Sequence, residues 1–574
     1  MGKTRKGSGK RVVIIGTGIG GLSTAIALKE NLGLEDVNLT IFEKASDVGG
    51  TWRENTYPGA GSDVQVHLYS LSTELRPHWD ADLATQPELL AYWRALAAKH
   101  GLRRNIVFNT RVVGAEWDAA QQLYHVTVQR LADPDCAKGM EEVMEIVVDA
   151  EVVISAIGVL EQPRFPDIAG MGEFKGEWFH SARWEPDVRL AGRRVAVIGS
   201  GSSATQFVPK LTEDPTTEVV QFIRTPSWYA PRAKQVFSGF AKWIFAHVPG
   251  AMRVYRSYIY LQRERIYFAV FRASDSITRK VKQALLGHLH HNCPDEYREA
   301  MTPDFPPGCK RLLADSGYLS TLNRPNVSLK FGGVSRLTST GVETKQGEQI
   351  PFDVVIFATG FSVDKYPIHI TGIDGATVQG YYEAHGGPTA YLGTTIPGLP
   401  NFYMVAGPNT VTGHTSVVFT EEVQIQYILK MVAPVLSSSA SSFVVTPAAC
   451  DAYNAKIQRR LEGSVLTQCV SWYRTDGTGK VTNFFPGPVT LLWWWMRKPV
   501  WGDYEVVGGE RWRAERRTRK VKRAVGIAAL AVASVGLSRN WEAVESGAKV
   551  TWGMLENKHV SDVIISLREA VIGW

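Results

Sequence analysis

Short apolar runs bounded by glycine or polar residues punctuate this 574-residue chain and set its plan. The first, Val12–Ile15, leads into Gly16-x-Gly18-x-x-Gly21 and then a helical pattern. A second, Leu39–Phe42, ends at Glu43. Further strands are predicted near 107–113, 124–128 and 152–157. The run 195–198 repeats the opening plan, leading into Gly199-Ser200-Gly201-Ser202-Ser203-Ala204 and a helix, and 219–223 ends at Arg224. Strand patterns return at Val327–Phe331, Val354–Phe357 and 402–405, and a helix opens near Thr420. Alternating strand runs and helical stretches predict an α/β fold. Residues 162–187, rich in Pro, Gly and aromatics, read as a linker, and 231–304 as an aromatic, mostly helical insertion.

The two strand–glycine–helix units have the order of a dinucleotide site. Glycine lets the turn close and the backbone approach a pyrophosphate, which then lies on the positive end of the helix. Glu43 would accept hydrogen bonds from ribose hydroxyls and repel a 2′-phosphate, so the first unit suits FAD or NAD. Arg224 with Thr225 suits the 2′-phosphate of NADPH, the alternative being a solvated strand-end charge. Two such units predict two Rossmann-like domains and electron transfer between two dinucleotides. The expected division is 1–158 with 375–507, 159–230 with 305–374, the insertion 231–304, and an extension 508–574.

Composition narrows the class. The content, 44% hydrophobic and 21% charged, is that of an ordinary globular protein of two or three domains. Cys136, Cys293, Cys309, Cys450 and Cys469 form no C-x-x-C or C-x4-C pair. That spacing argues against a disulfide framework, a zinc site and a disulfide reductase, and favours a reducing, cytoplasmic setting. The net charge of +7 is matched by 511–523 alone, which holds eight Lys or Arg and one Glu. No basic face remains for nucleic acid. The basic start, Met1 to Arg11, runs straight into a strand with no apolar signal region, and Lys6 stands where a myristoylation signal after Gly2 needs Ser or Thr. The apolar stretch 524–537 is shorter than the ~20 residues that span a bilayer. With Lys and Arg before it and Trp541 after it, it reads either as a membrane-surface segment or as a buried helix.

Between the glycine loops lies Phe174-x-Gly176-x-x-x-His180-x-x-x-Trp184, followed by Glu185-Pro186. This run resembles the fingerprint of the Baeyer–Villiger monooxygenases, class B flavoproteins that use FAD, NADPH and O₂. The family has Pro or Asp where Glu185 stands. The related flavin-containing monooxygenases carry Tyr or Phe where Trp184 stands. Gly49-Gly50-Thr51-Trp52, Tyr57-Pro58-Gly59-Ala60 and Asp63-Val64 resemble the family's flavin-embracing segment, and Tyr69 and Val112 fall among its FAD contacts. Phe357-Ala358-Thr359-Gly360-Phe361 resembles its interdomain hinge. Gly407-Pro408-Asn409 with Gly413-His414 resembles its loop returning to the flavin, and Ser471-Trp472-Tyr473 a mobile loop whose Trp touches NADP. The likeness extends over most of residues 10–507.

The resemblance implies roles for Lys310-Arg311: Lys310 on the 2′-phosphate, Arg311 over the flavin, with Asp63 holding the Arg. In that family a C4a-peroxyflavin anion attacks a ketone and yields an ester or lactone. A permanent guanidinium stabilises such an anion and the oxyanion that follows. A surface Lys-Arg pair is the alternative. His180, alone in a linker, reads as a structural tie rather than a general base. The aromatics of 231–304 and Trp493-Trp494-Trp495 suit either a large apolar substrate or a core. Nitrogen or sulfur oxygenation, epoxidation, or plain NADPH–FAD reduction are the competing activities.

Overall fold

A computed structural model describes residues 9–131, 144–272 and 274–539. Gly2, Lys6, Cys136 and Trp541 lie outside the described residues.

Two five-stranded sheets organise residues 9–507. The first has the order Phe402–Met404, Val152–Ser155, Val12–Ile15, Leu39–Phe42, Ile106–Val107, every pair parallel. The second runs Val327–Phe331, Glu218–Ile223, Arg194–Ile198, Val354–Phe357, Glu177–His180, again all parallel. Val12–Ile15, Val152–Ser155 and Val354–Phe357 are buried at every position. Parallel strands covered on both faces need such unbroken apolar runs. Each sheet places one glycine loop at the carboxyl end of a central strand, where α/β sheets bind ligands. A smaller sheet of Thr110–Asp118, Leu123–Arg130 and Glu145–Ala150 joins the first.

Three sequence expectations change. The linker 162–187 contains Glu177–His180, an edge strand of the second sheet; four residues among Pro and Gly carry too little pattern to show it. The chain is back beside the first sheet's satellite at His369–Thr371, which pairs with Thr110–Asp118 before residue 375. The third concerns the cysteines and is described with the site.

The insertion holds helices Gly239–His247, Ala251–Val270, Asp275–Asn292 and Asp295–Met301. The two sheets are linked by paired segments: Arg164 N donates to Gly360 O at 2.9 Å and Ser362 N to Gln162 O at 2.9 Å. Residues 508–574 form a separate unit whose described part is the helix Glu510–Arg539. It takes up the basic run and the stretch 524–537 together. No helix among the described residues is long and apolar enough to cross a membrane.

Candidate functional site

The first glycine loop is tight for stated reasons. Gly16 has φ +99°, and a Cβ there would lie 2.9 Å from Ala156 O. One on Gly21 would lie 1.9 Å from Gly16 O. Gly18 and Gly50 touch backbone to backbone, since a Cβ on Gly50 would come within 2.7 Å of Gly18 Cα. Glu43, 7% exposed, accepts from Thr17 N at 2.8 Å and Thr17 Oγ1 at 2.6 Å through Oε2, and from Ala45 N at 2.9 Å through Oε1. The carboxylate is thereby fixed at the end of its strand beside the loop.

Thr51 opens the short helix Thr51–Glu54, and Trp52 is buried edge-on to Tyr69 with ring centroids 5.8 Å apart. Val64 is buried, and its N–H donates to Ser62 Oγ. The Val112 side chain packs in the core with Val13 and Phe42. Trp52 Nε1, Thr412 Oγ1, Thr415 Oγ1 and Glu421 Oε2 are buried without partners. Such groups are costly alone. With the glycine cradle and fixed Glu43, they fit a polar dinucleotide.

The second loop follows the same logic. Gly199 has φ +117°, with a Cβ there 2.4 Å from Ala358 O. Ser200 Oγ donates to Thr225 O at 3.4 Å, and Gly201 caps the helix Ser202–Leu211. Ala204 is fully buried, and burial raises the pKa of Tyr57 while Ser203 opposes the rise. Tyr57 donates to Gln206 Oε1 at 2.9 Å, and Gln206 Nε2 to Gly61 O at 3.0 Å. The segment after the first loop therefore grips the helix of the second. Arg224 is exposed at its strand end. Burial first, then the Arg224 charge, lowers the Lys310 pKa, while Asp304 opposes. Among the described residues neither cation has a carboxylate within ion-pair distance. Two close cations so placed fit a phosphate.

Arg311 meets Asp63 in a fork. Nη2 donates to Oδ2 at 2.6 Å and Oδ1 at 2.7 Å, and Nε to Oδ2 at 3.2 Å. The side chains keep 30% and 26% of their surface open. Burial pushes the Asp63 carboxyl up, but Arg311's charge and hydrogen bonds outweigh it and hold it below the ordinary value. Asp63's charge raises the Arg311 pKa against burial. The pair is a guanidinium fixed in direction and permanently charged. Tyr69 and Tyr473 both feel that charge, so the Trp472-Tyr473 loop and the flavin-side segment converge here.

Cys309 is bonded to Cys469, 160 residues away in sequence. This corrects the expectation of no disulfide: motif spacing finds only local pairs, whereas the fold brings these two together. Arg263 was also missed. Its Nε donates to Gln65 Oε1 at 2.8 Å and its Nη2 is buried without a partner. Burial, then the Arg232 charge, lowers its pKa to about 10. Nothing distinguishes it in sequence from any other helical Arg.

The fingerprint residues lie in and beside the second sheet. Phe174 is core, and a Cβ on Gly176 would meet Asp353 O at 2.4 Å. Trp184 packs on Phe179 and Phe207. His180 ends its edge strand opposite Phe357 and accepts from Ala182 N at 3.1 Å through Nδ1. Burial, then Arg183, push its pKa down to about 4, so the ring is neutral. Asn409 donates to Val481 O and Phe484 O, holding the end of the Trp472 loop.

The flavin-binding monooxygenase-like family model matches residues 9–242. A Baeyer–Villiger monooxygenase of Pseudomonas aeruginosa is 35% identical over 484 residues, 83% of this chain and 88% of that one. An FAD-binding monooxygenase of Aspergillus niger is 33% identical, covering 87% of this chain and 82% of its own length. The NADP⁺-bound structure of cyclohexanone monooxygenase from Rhodococcus sp. Phi1 superposes with a TM-score of 0.74 at 26% identity, over 87% of this chain and 99% of that one.

Proposed function

The chain belongs to the Baeyer–Villiger monooxygenase family, and from that premise we propose that it converts an apolar ketone to an ester or lactone. It is an FAD-containing monooxygenase that takes electrons from NADPH and oxygen from O₂. FAD belongs to 1–158 and the portion from His369 to 507, held by Gly16, Gly18, Gly21, Glu43 and the Gly50–Trp52 segment. NADPH belongs to 159–230 and 305–368, with Arg224, Thr225 and Lys310 on its 2′-phosphate and Trp472 on its nicotinamide side. Bound flavin, once reduced, supplies the activated oxygen.

The chain's own part is electrostatic. Arg311, aimed by Asp63, stabilises negative charge on the attacking oxygen and then on the former carbonyl oxygen. Because Asp63 takes two of the guanidinium's nitrogens, the fork cannot rotate away as charge develops. Trp472 and Tyr473 close over the group and exclude water. The paired Arg311–Asp63 geometry is the observation that carries the reading.

The experiment offers the enzyme, with NADPH and O₂, a cyclic ketone, a tertiary amine and a thioether. Ester or lactone from the ketone, at a rate matching substrate-dependent NADPH use, supports the reading. Turnover of amine or thioether with the ketone inert would replace it with heteroatom oxygenation. A cytoplasmic placement rests on the supply of NADPH there, since the Cys309–Cys469 bond removes the argument from cysteine spacing. The basic helix Glu510–Arg539 is assigned a contact with anionic membrane surface, which its run of Lys and Arg supports.

A further inference from the structure

The helix Ala251–Val270 turns two charged side chains inward, beside Ile259, Tyr267 and Val270, and several large apolar ones outward. Its charged residues Arg256 and Glu264 are 9% and 8% exposed, whereas Val254, Tyr258, Leu261 and Phe268 are 71%, 57%, 59% and 56% exposed. An ordinary surface helix does the reverse. The inward charges are engaged. Arg256 donates to His67 O and Ser70 O, and Glu264 accepts from Val489 N, Thr490 N and Thr490 Oγ1. Positions 254, 258, 261, 265 and 268 recur at helical spacing, so the outward residues form one stripe. The stripe spans about 21 Å.

Neighbouring helices continue it. In Gly239–His247, Phe240 and Trp243 stack and are 70% and 53% exposed, while Phe245 turns inward onto His67. In Val489–Met496, Thr490 meets Tyr260 and Glu264. Trp493 and Trp494, on the same face as Thr490, are 46% and 53% exposed. Charge selects the occupant. Glu264 is the single acid of the three helices, and it is buried. Arg253, Arg265, Arg272 and Lys498 are exposed without a carboxylate partner among the described residues, and Arg497 lies over Trp494 at 3.4 Å. Lys242 is the exception, paired with Asp80.

We propose that this face, formed by Gly239–His247, Ala251–Val270 and Val489–Met496, docks on an anionic lipid surface. Exposed Trp, Tyr and Phe set among Arg and Lys, with no exposed acid on the three helices themselves and Asp80 beside them paired with Lys242, match the bilayer interface, where aromatic rings sit at headgroup depth and cations meet lipid phosphate. Separate convex helices suit a planar lipid surface better than a peptide groove. The proposal does not depend on which substrate is oxygenated, and it concerns a surface other than Glu510–Arg539.

The test uses the full-length holoenzyme with vesicles of phosphatidylglycerol and phosphatidylcholine in equal parts, and with phosphatidylcholine alone. Flotation should recover the protein with the mixed vesicles, less so at high salt. Amide exchange across 239–270 should slow when they are added. Replacing Val254, Tyr258, Leu261 and Phe268 together by Ser should weaken partitioning by at least about tenfold, given the apolar area withdrawn from lipid. Arg253→Glu with Arg265→Glu should do so without removing apolar surface. Parental flotation of the Ser variant, protection confined to 510–539, or a stretch 239–270 already protected without vesicles would each overturn it. So would a parent dimer that the Ser variant splits while neither binds vesicles.

Discussion

Cys309 stands two positions before Arg311, and its bond to Cys469 ties that segment to the loop carrying Trp472. The segment carrying the guanidinium and the loop carrying Trp472 are thus joined by a covalent link. Asn409 holds the far end of the same loop through Val481 and Phe484. The loop is pinned on both sides of Trp472, an arrangement that suits the proposed exclusion of water beside Arg311.

Cutting that link should loosen the cover. Cys469→Ala should lower the melting temperature, since a bridge closing a long loop contributes roughly 2–4 kcal/mol. It should also divert NADPH oxidation from ester toward hydrogen peroxide. Dithiol-treated parent should behave the same way, and the variant should be indifferent to dithiol. Unchanged melting and coupling in both would remove the loop-pinning role.

If Arg224 and Lys310 hold the 2′-phosphate as proposed, they decide cofactor choice. Arg224→Ala should raise KM for NADPH by about tenfold to a hundredfold, from the loss of a charge-assisted contact of roughly 1.5–3 kcal/mol. KM for NADH, which lacks the 2′-phosphate, should hardly move. Equal changes for both cofactors would show that Arg224 is only a strand-end charge.

Glu421 gives the fold a pH dependence. Burial, then the neighbouring Glu422 charge, raise its pKa from 4.5 to about 8. Between those values the folded protein keeps a proton that the unfolded chain has lost. Stability is therefore full below the unfolded pKa and falls as pH rises, by up to about 1.4 kcal/mol per unit. Glu421→Gln should flatten that slope and stabilise the protein at the alkaline end. Denaturant melts across the window measure it, and an identical slope in the variant would contradict the assignment.

Asp63 should matter only through Arg311. Asp63→Ala should reduce ester yield less than Arg311→Ala does, and add little to it, because residues acting as one unit are not additive. A double variant losing the product of the two single losses would mean that Asp63 acts independently.

The sheet plan was legible because parallel strands must be apolar throughout, as Val12–Ile15 and Val354–Phe357 are. The glycine loops were legible because Gly16 and Gly199 sit where a side chain would strike Ala156 O and Ala358 O. Short edge elements were not: Glu177–His180 earns its strand only by pairing with Val354–Phe357. Nor were long-range partners. Arg311 and Asp63 were suggested by family motif, yet neither the Cys309–Cys469 bond nor the position of Arg263 leaves a local signature. The outward stripe of Ala251–Val270 has an ordinary helical period, and sequence alone cannot say which side of that period faces solvent.

The central claim is that Arg311 serves oxygen transfer rather than cofactor binding or flavin reduction. The most direct measurement is the division of NADPH-derived electrons between ester and hydrogen peroxide in Arg311→Ala supplied with a ketone. The variant should retain FAD and still oxidise NADPH, release hydrogen peroxide, and form ester about a hundredfold to a thousandfold more slowly. Ester formed at the parental rate by a variant containing FAD would contradict it.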